Sequence, residues 1–151
     1  MEKTAKVEYK ALFLMIVIFF ILFYPMLISI YVFLPLFIGA ASYLLVEGLE
    51  KQKPRFIFFA AVYLVNLEVN LSLPLFLTII SSFIFYITVY PYLRHFRRCK
   101  FCKAIISVII LDIFYLGALF AFDFIFQTQS IVLDVILLYS LVVDMLVVVL
   151  L

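Results

Sequence analysis

Residues 11–46 read ALFLMIVIFFILFYPMLISIYVFLPLFIGAASYLLV, and these 36 positions contain no charged side chain. As a single helix the stretch would be about 54 Å long, whereas roughly 20 residues are enough to cross the hydrocarbon core of a bilayer. Pro25 and Pro35 interrupt it, and each proline removes a backbone donor and disfavours helix just before it. The stretch therefore predicts two membrane-spanning helices joined by a tight apolar turn at residues 29–34.

The composition of the whole chain agrees with a membrane protein. Of its 151 residues, 70% are hydrophobic and 13% are charged, whereas soluble domains are about half apolar and a quarter charged. Such an excess of apolar side chains is needed only where the outer faces meet lipid, and an open strand edge cannot be left unpaired there. The sequence predicts an all-α, polytopic membrane protein without a separate soluble domain.

Length and hydropathy predict six spans in one domain of residues 1–151. Pro35 and Pro54 are each expected in the first turn of a helix, where proline fits best, and residues 47–55 are expected to form a loop. Polar residues alternate with apolar ones from Asn66 to Pro74, which predicts a frayed helix end, with a broken helix as the alternative. No internal sequence repeat is expected. The spans are placed at about 9–27, 35–46, 56–72, 75–92, 104–126 and 131–151.

Basic residues set the expected orientation. No Lys or Arg follows Lys103, and the eleven in the chain form three clusters between apolar runs. Lys and Arg concentrate in cytoplasmic loops, so both termini are predicted to be cytoplasmic and the spans to form three outward-pointing hairpins. This pattern indicates lipid and not nucleic acid as the partner. The clusters are Lys3, Lys6 and Lys10; Lys51, Lys53 and Arg55; Arg94, Arg97, Arg98, Lys100 and Lys103.

Two acidic residues fall deep inside predicted spans, Asp112 in the fifth and Asp144 in the sixth, whereas Glu68, Asp123 and Asp134 lie near the outer ends of theirs. Placing an Asp at the centre of a span costs about 3 kcal/mol, so each needs a partner, a cavity or a proton. On antiparallel neighbouring helices the two would lie at similar depth and could face each other. A structural role at a helix interface, a contact with a partner protein and a proton relay all remain open.

A second polar cluster, Asn66, Glu68 and Asn70, lies at the predicted outer end of the third span. It could be a helix end hydrated at the lipid interface, which is a routine arrangement. It could also line an outward-facing cavity or contact an extracytoplasmic partner.

The chain contains no recognisable catalytic motif. Cys99 and Cys102 form a Cys-x-x-Cys with His95 nearby, but a structural zinc site needs four ligands and a redox site of the thioredoxin type needs a strand before its helix. Two reduced cytosolic thiols are expected. No nucleophile, metal ligand set or cofactor motif is present, so the sequence predicts no enzyme, metal or cofactor.

The order of several apolar motifs resembles the rod-shape-determining MreD family over about residues 27–121. Pro35 corresponds to the proline that opens the family's second helix, Glu68 lies near its acidic residue closing the third, and Asp112 matches its acidic residue in the fifth. The family usually has glycines before the acidic residue of the third helix, whereas Ala60, Ala61 and Val65 stand here. The motifs are Val32-Phe33-Leu34-Pro35, Asn66-Leu67-Glu68-Val69, Pro74-Leu75, Tyr92-Leu93-Arg94 and Ile109-Ile110-Leu111-Asp112-Ile113-Phe114.

This resemblance implies a bacterial inner-membrane adaptor of the cell-elongation machinery. Its expected partners are an MreC-like shape protein and, through it, other proteins of the elongation complex. The resemblance also implies a compact six-helix bundle like the substrate-capture subunits of energy-coupling-factor transporters. A small-molecule capture subunit is therefore the alternative function, and Asp112 and Asp144 are the first candidate contacts for a docked partner.

Overall fold

The structure is a computed structural model that describes residues 2–31, 33–95, 98–127 and 135–150. For residues 2–5 and 135–137 it describes the backbone alone. These residues form seven α-helices and no strand, so the all-α class is confirmed for them. The helices are α1 (Glu2–Ile30), α2 (Ile38–Glu50), α3 (Pro54–Asn70), α4 (Leu77–Thr88), α5 (Tyr90–Leu93), α6 (Lys100–Phe126) and α7 (Val135–Leu150).

Two of these helices are long and apolar enough to cross a membrane, over Lys6–Ile30 and Lys100–Phe126. The apolar helices Leu77–Thr88 and Leu138–Leu150 are shorter. Each of the six predicted spans overlaps a helix, although residues 131–134 and 151 of the sixth lie outside the described ranges.

Prolines account for three differences between the expected and observed helices. Pro25 lies inside α1, which continues to Ile30. Pro35 was predicted in the first turn of its helix; this is wrong, because Phe37 adopts a left-handed conformation and α2 begins only after it. Pro91 separates α5 from α4, since a proline cannot donate to the preceding turn. Pro54 does open α3, as predicted.

The expected loop at residues 47–55 is also shorter than predicted. Helix α2 continues through Glu50, which leaves only Lys51–Lys53 as a connection. Gln52 adopts a positive φ of 51°, and the Lys53 N–H donates to the carbonyl oxygen of Gly48 at 2.9 Å. This hydrogen bond is the closing contact of a Schellman turn, in which glycine usually takes the left-handed position.

Helix α2 is the centre of the bundle and packs against α3, α4, α6 and α7. It can do so because it begins with the small residues Gly39-Ala40-Ala41-Ser42, all buried. A Cβ at Gly48 would lie 2.9 Å from Cγ1 of Ile57 in α3, so glycine is required for this approach. Leu45 and Val46 complete its buried face.

Helix α1 packs against α3 along one narrow stripe. Ile21, Pro25 and Ile28 are buried, at the spacing of one face of a helix. From Lys6 to Phe20 every side chain is exposed except the half-buried Val17. The first half of α1 therefore contributes an almost entirely exposed apolar surface.

Candidate functional site

The first turn of α2 begins inside the bundle, where its backbone N–H groups have no partner within the helix. Asp144 of α7 accepts the N–H of Gly39 through Oδ2 at 2.9 Å, and its residue is only 1% exposed. One turn earlier on α7, the Oγ of Ser140 accepts the N–H of Leu36 at 3.1 Å. A carboxylate at a helix N-terminus is stabilised by the helix dipole. The N-terminus of α2 is therefore capped by side chains of another helix, α7.

The irregular segment before α2 has its carbonyl groups satisfied by tyrosines. Tyr24 of α1 donates its hydroxyl to the carbonyl oxygen of Pro35 at 2.8 Å. Tyr63 of α3 donates in the same way to Leu36 at 2.9 Å. Buried backbone groups outside regular helix need such partners, and the two tyrosines supply them.

Asp112 of α6 approaches the same glycine from another direction. A Cβ at Gly39 would lie 2.7 Å and 2.8 Å from the two carboxyl oxygens of Asp112. Asp112 Oδ2 and Asp144 Oδ1 are both buried and have no hydrogen-bond partner among the described residues. The structure thus brings the acids of the predicted fifth and sixth spans together around Gly39, and one oxygen of each has no hydrogen-bond partner among the described residues.

The start of α4 is built in the same way, with Glu68 of α3 as its cap. Glu68 Oε2 accepts the N–H of Phe76 at 2.7 Å, while Oε1 accepts the N–H and the hydroxyl of Thr78 at 2.8 Å and 2.5 Å. Glu68 is 0% exposed. Both of its carboxyl oxygens therefore accept hydrogen bonds inside the bundle, and neither is accessible to solvent.

The two helix starts share a sequence that was not recognised as a repeat. Leu-Pro-Leu-Phe occurs at 34–37 and again at 73–76. In both copies the phenylalanine has a positive φ, 52° at Phe37 and 64° at Phe76. The residue two positions later, Gly39 or Thr78, donates its N–H to a carboxylate. The expectation of no internal repeat is wrong, and the identical tetrapeptide was the signal that would have revealed these caps.

Asn66 and Asn70 complete the contact between α3 and α1. Pro25 cannot donate to the carbonyl oxygen of Ile21 one turn earlier. Asn66 Nδ2 supplies that hydrogen bond at 3.0 Å and donates at 3.0 Å to Leu22 as well. Asn70 Nδ2 in turn donates to the side-chain oxygen of Asn66 at 2.9 Å. Both amides are therefore used within the bundle.

Two basic loops meet at one end of the molecule. Lys103 at the start of α6 lies 3.5 Å from Oε2 of Glu50 at the end of α2, and its ammonium donates to the hydroxyl of Tyr90 at 2.9 Å. Lys51 pairs with Glu47 in α2. Arg97 lies outside the described residues; the remaining cations of the two loops are exposed: Lys53, Arg55, Arg94, Arg98 and Lys100.

Cys99 and Cys102 are joined by a disulfide. The expectation of two reduced thiols is therefore wrong for this structure. Cys99 is the residue that precedes α6 and Cys102 lies in its first turn, so the helix brings the two side chains together as soon as it forms. Within the described ranges, no group of three or more His, Cys, Asp or Glu side chains could hold a metal ion.

A shallow apolar groove runs between α4 and α6, with a volume of about 380 Å³. It lies over Gly117, where an added Cβ would meet no atom within 4 Å. Its walls are formed by Leu77, Ile80, Ser81, Ile84, Ile113, Phe114, Gly117 and Ala118.

No protein-family model, curated protein or solved structure matches this chain.

Proposed function

We propose that this chain is an integral membrane adaptor that docks partner membrane proteins and has no reaction of its own. The observation that carries this proposal is the use of polar groups inside the bundle. Asp144, Glu68 and Asn66 bond to backbone groups of neighbouring helices or of the residue that precedes one, and Asn70 bonds to Asn66 within α3. These side chains hold helices together, and what remains for other molecules is an apolar exterior.

Six spans with both termini in the cytoplasm are the topology we propose for it. The contact between Glu50 and Lys103 supports this topology, because it places the second and third basic clusters at the same end. Lys and Arg concentrate on the cytoplasmic side of membrane proteins. Helices α2 and α4 are too short to cross alone, and the capped Leu-Pro-Leu-Phe segments before them extend each path.

The groove between α4 and α6 is the surface that we assign to a partner. Small residues allow membrane helices to approach closely, and Gly117 with Ala121 one turn later puts two of them on the exposed side of α6. Exposed Ile80 and Ile84 of α4 form the facing wall. A transmembrane helix of the partner would fill this space by van der Waals contact.

The resemblance to the MreD family supports one particular setting for the adaptor. This setting is the inner membrane of a bacterium, with an MreC-like shape protein and other elongation-complex proteins as partners. The alternative, a small-molecule capture subunit, was expected to open around Asn66, Glu68 and Asn70. Glu68 is completely buried there and both of its oxygens are bonded, so no observation at this end favours that alternative.

The test is purification of the tagged chain from its native membranes in mild detergent, followed by mass spectrometry. Recovery of shape and wall-synthesis proteins is expected. Gly117→Leu should insert normally, because the space beside Gly117 is open, yet recover at least fivefold less partner.

Ala11→Leu is the matched control, since Ala11 is a small, exposed residue on α1 far along the chain from the groove. It should recover partners at the wild-type level. A loss with Ala11→Leu alone would move the docking surface to α1. Recovery of ATPase subunits with a coupling membrane protein would overturn the adaptor in favour of transport.

A further inference from the structure

The Cys99–Cys102 disulfide closes the first turn of α6. The Cα atoms are 5.2 Å apart, within the range that a disulfide can bridge. The same turn is also held by hydrogen bonds, from the Cys102 N–H to Cys99 Sγ at 3.2 Å and from the Lys103 N–H to the Cys99 carbonyl oxygen at 3.1 Å. The helix start therefore does not depend on the disulfide.

A disulfide that closes so short a loop adds little stability. The gain from a cross-link grows with the number of residues that it encloses, and this one encloses only Lys100 and Phe101 between the cysteines. A bond with little structural effect, placed where solvent reaches it, can open and close without disturbing the fold. Cys102 is exposed and Cys99 is half-buried.

The surroundings of Cys99 favour negative charge on its sulfur. The residue sits at the N-terminus of a 27-residue helix, where the helix dipole stabilises an anion. Arg98 and Lys100 are its chain neighbours and both are exposed cations. Cysteines in such electropositive, accessible positions are the reactive ones, because the thiolate is the species that exchanges.

We propose that Cys99 and Cys102 form a reversible thiol–disulfide exchange site for the low-molecular-weight thiols of the cytosol. The proposal rests on the topology given above, which places residues 94–103 on the cytoplasmic side. Disulfides in that compartment are usually transient and redox-sensing, because its thiol pools keep cysteines reduced.

The exchange proceeds in two steps. An external thiolate attacks the exposed Cys102 Sγ, the bond between the two cysteines breaks, and Cys99 leaves as a thiolate held by the Cys102 N–H. A second external thiolate then attacks the external sulfur of the mixed disulfide and releases Cys102 as a thiolate. In total two external thiols are oxidised to one disulfide, and the protein disulfide gains two electrons.

The test uses the full chain in inverted membrane vesicles equilibrated with reduced and oxidised glutathione at a series of ratios. After acid quenching and return to neutral pH, free thiols are labelled with a polymer-linked maleimide. The number of labels on each chain is then counted from the shift of its gel band. Two labels are expected in reduced buffer and none in oxidised buffer, with the same curve from either direction. A disulfide that never forms, or one that survives full reduction, would overturn the proposal.

Variants test the assigned roles. Lys100→Gln removes one cation beside Cys99 and should slow reduction by roughly twofold to fivefold, the effect of one charge near a helix N-terminus. Cys99→Ser leaves the exposed Cys102, which should accept one glutathione and show no intramolecular disulfide. An unchanged rate in Lys100→Gln would remove the electrostatic argument for Cys99 as the leaving group.

A membrane-impermeant phosphine separates this proposal from the topology on which it rests. Reduction in inverted vesicles but not in intact cells supports both. Reduction by the phosphine in intact cells but not in inverted vesicles, with reversible exchange still observed, leaves the site valid while contradicting its cytoplasmic placement.

Discussion

Pro25 leaves the carbonyl oxygen of Ile21 without its helical donor, and Asn66 supplies one from α3. Local sequence creates an unsatisfied group, and a side chain from another helix satisfies it. The same relation holds between Phe76 and Glu68 and between Gly39 and Asp144. The sequence singled out these polar residues, but it placed Asn66 and Glu68 at a helix end beside water and did not show what they bond to. Each partner is a backbone group exposed by a proline or by a helix start.

A double-mutant cycle tests the relation between Pro25 and Asn66. Asn66→Leu should lower the free energy of unfolding by about 1–2 kcal/mol, since it leaves a buried carbonyl group unpaired. In a Pro25→Ala background the alanine N–H can pair with Ile21, so the same change should cost about 1 kcal/mol less. Unfolding of the purified protein in detergent would measure both, and equal costs in the two backgrounds would contradict the assignment.

At the scale of a helix, the close packing of α2 against α3 depends on Gly48. Gly48 lies against Ile57 of α3, where an added Cβ would be 3.1 Å from the backbone nitrogen of Ile57 as well. Gly117 lies on α6 with no atom in reach of a Cβ. A side chain at position 48 would therefore clash with α3, whereas position 117 has room for one.

The same substitution at the two sites provides a matched comparison. Gly48→Ala should lower the thermal midpoint, because the backbones of α2 and α3 must separate to accept the methyl group. Gly117→Ala should raise it slightly, since alanine is favoured over an exposed helical glycine by up to about 1 kcal/mol. Thermal unfolding followed by circular dichroism measures both midpoints. Shifts of the same sign would show that neither glycine is distinguished by its packing.

The existence and order of the helices could be predicted from hydropathy and charge, whereas their ends could not. The left-handed conformation is common for Gly and Asn but not for Phe, so the sequence does not predict it at Phe37 or Phe76. Tertiary contacts impose it there. The fourth span was predicted as one helix, whereas the structure has a break before Pro91. Hydropathy did not predict this break because the flanking residues are mostly apolar. At the site, the meeting of Asp112 and Asp144 could be anticipated from depth, but Gly39 between them could not.

At the scale of the whole molecule, the basic loops share one end and the first half of α1 has almost no neighbours within the described residues. Glu68, Asn66 and Asp144 join helices in the interior by hydrogen bonds, although one oxygen each of Asp112 and Asp144 has no partner among the described residues. The exterior is apolar over large parts of α1, α4 and α6. This distribution is the reverse of a soluble protein, which needs polar side chains on its outer face.

The proposed topology has a direct labelling test. In a chain with Cys99→Ser and Cys102→Ser, Gln52→Cys should react with an impermeant maleimide only in inverted vesicles. Ser72→Cys, in the turn between α3 and α4, should react only in intact cells or right-side-out vesicles. Both positions have a left-handed backbone at a turn, which makes them comparable. Labelling of both from one side would contradict the six-span arrangement.

The two helix starts differ in when a ribosome can complete them. Glu68 is synthesised eight residues before Phe76, whose N–H donates to it, so the carboxylate that caps α4 is already present when α4 is made. Gly39 and Asp144 are 105 residues apart, so the cap of α2 is complete only after nearly all later helices have been made. During that interval the N–H of Gly39 lacks its partner on α7. Translation that stops before α7 therefore yields a chain whose central helix is unfinished, which gives quality-control proteases a recognisable substrate.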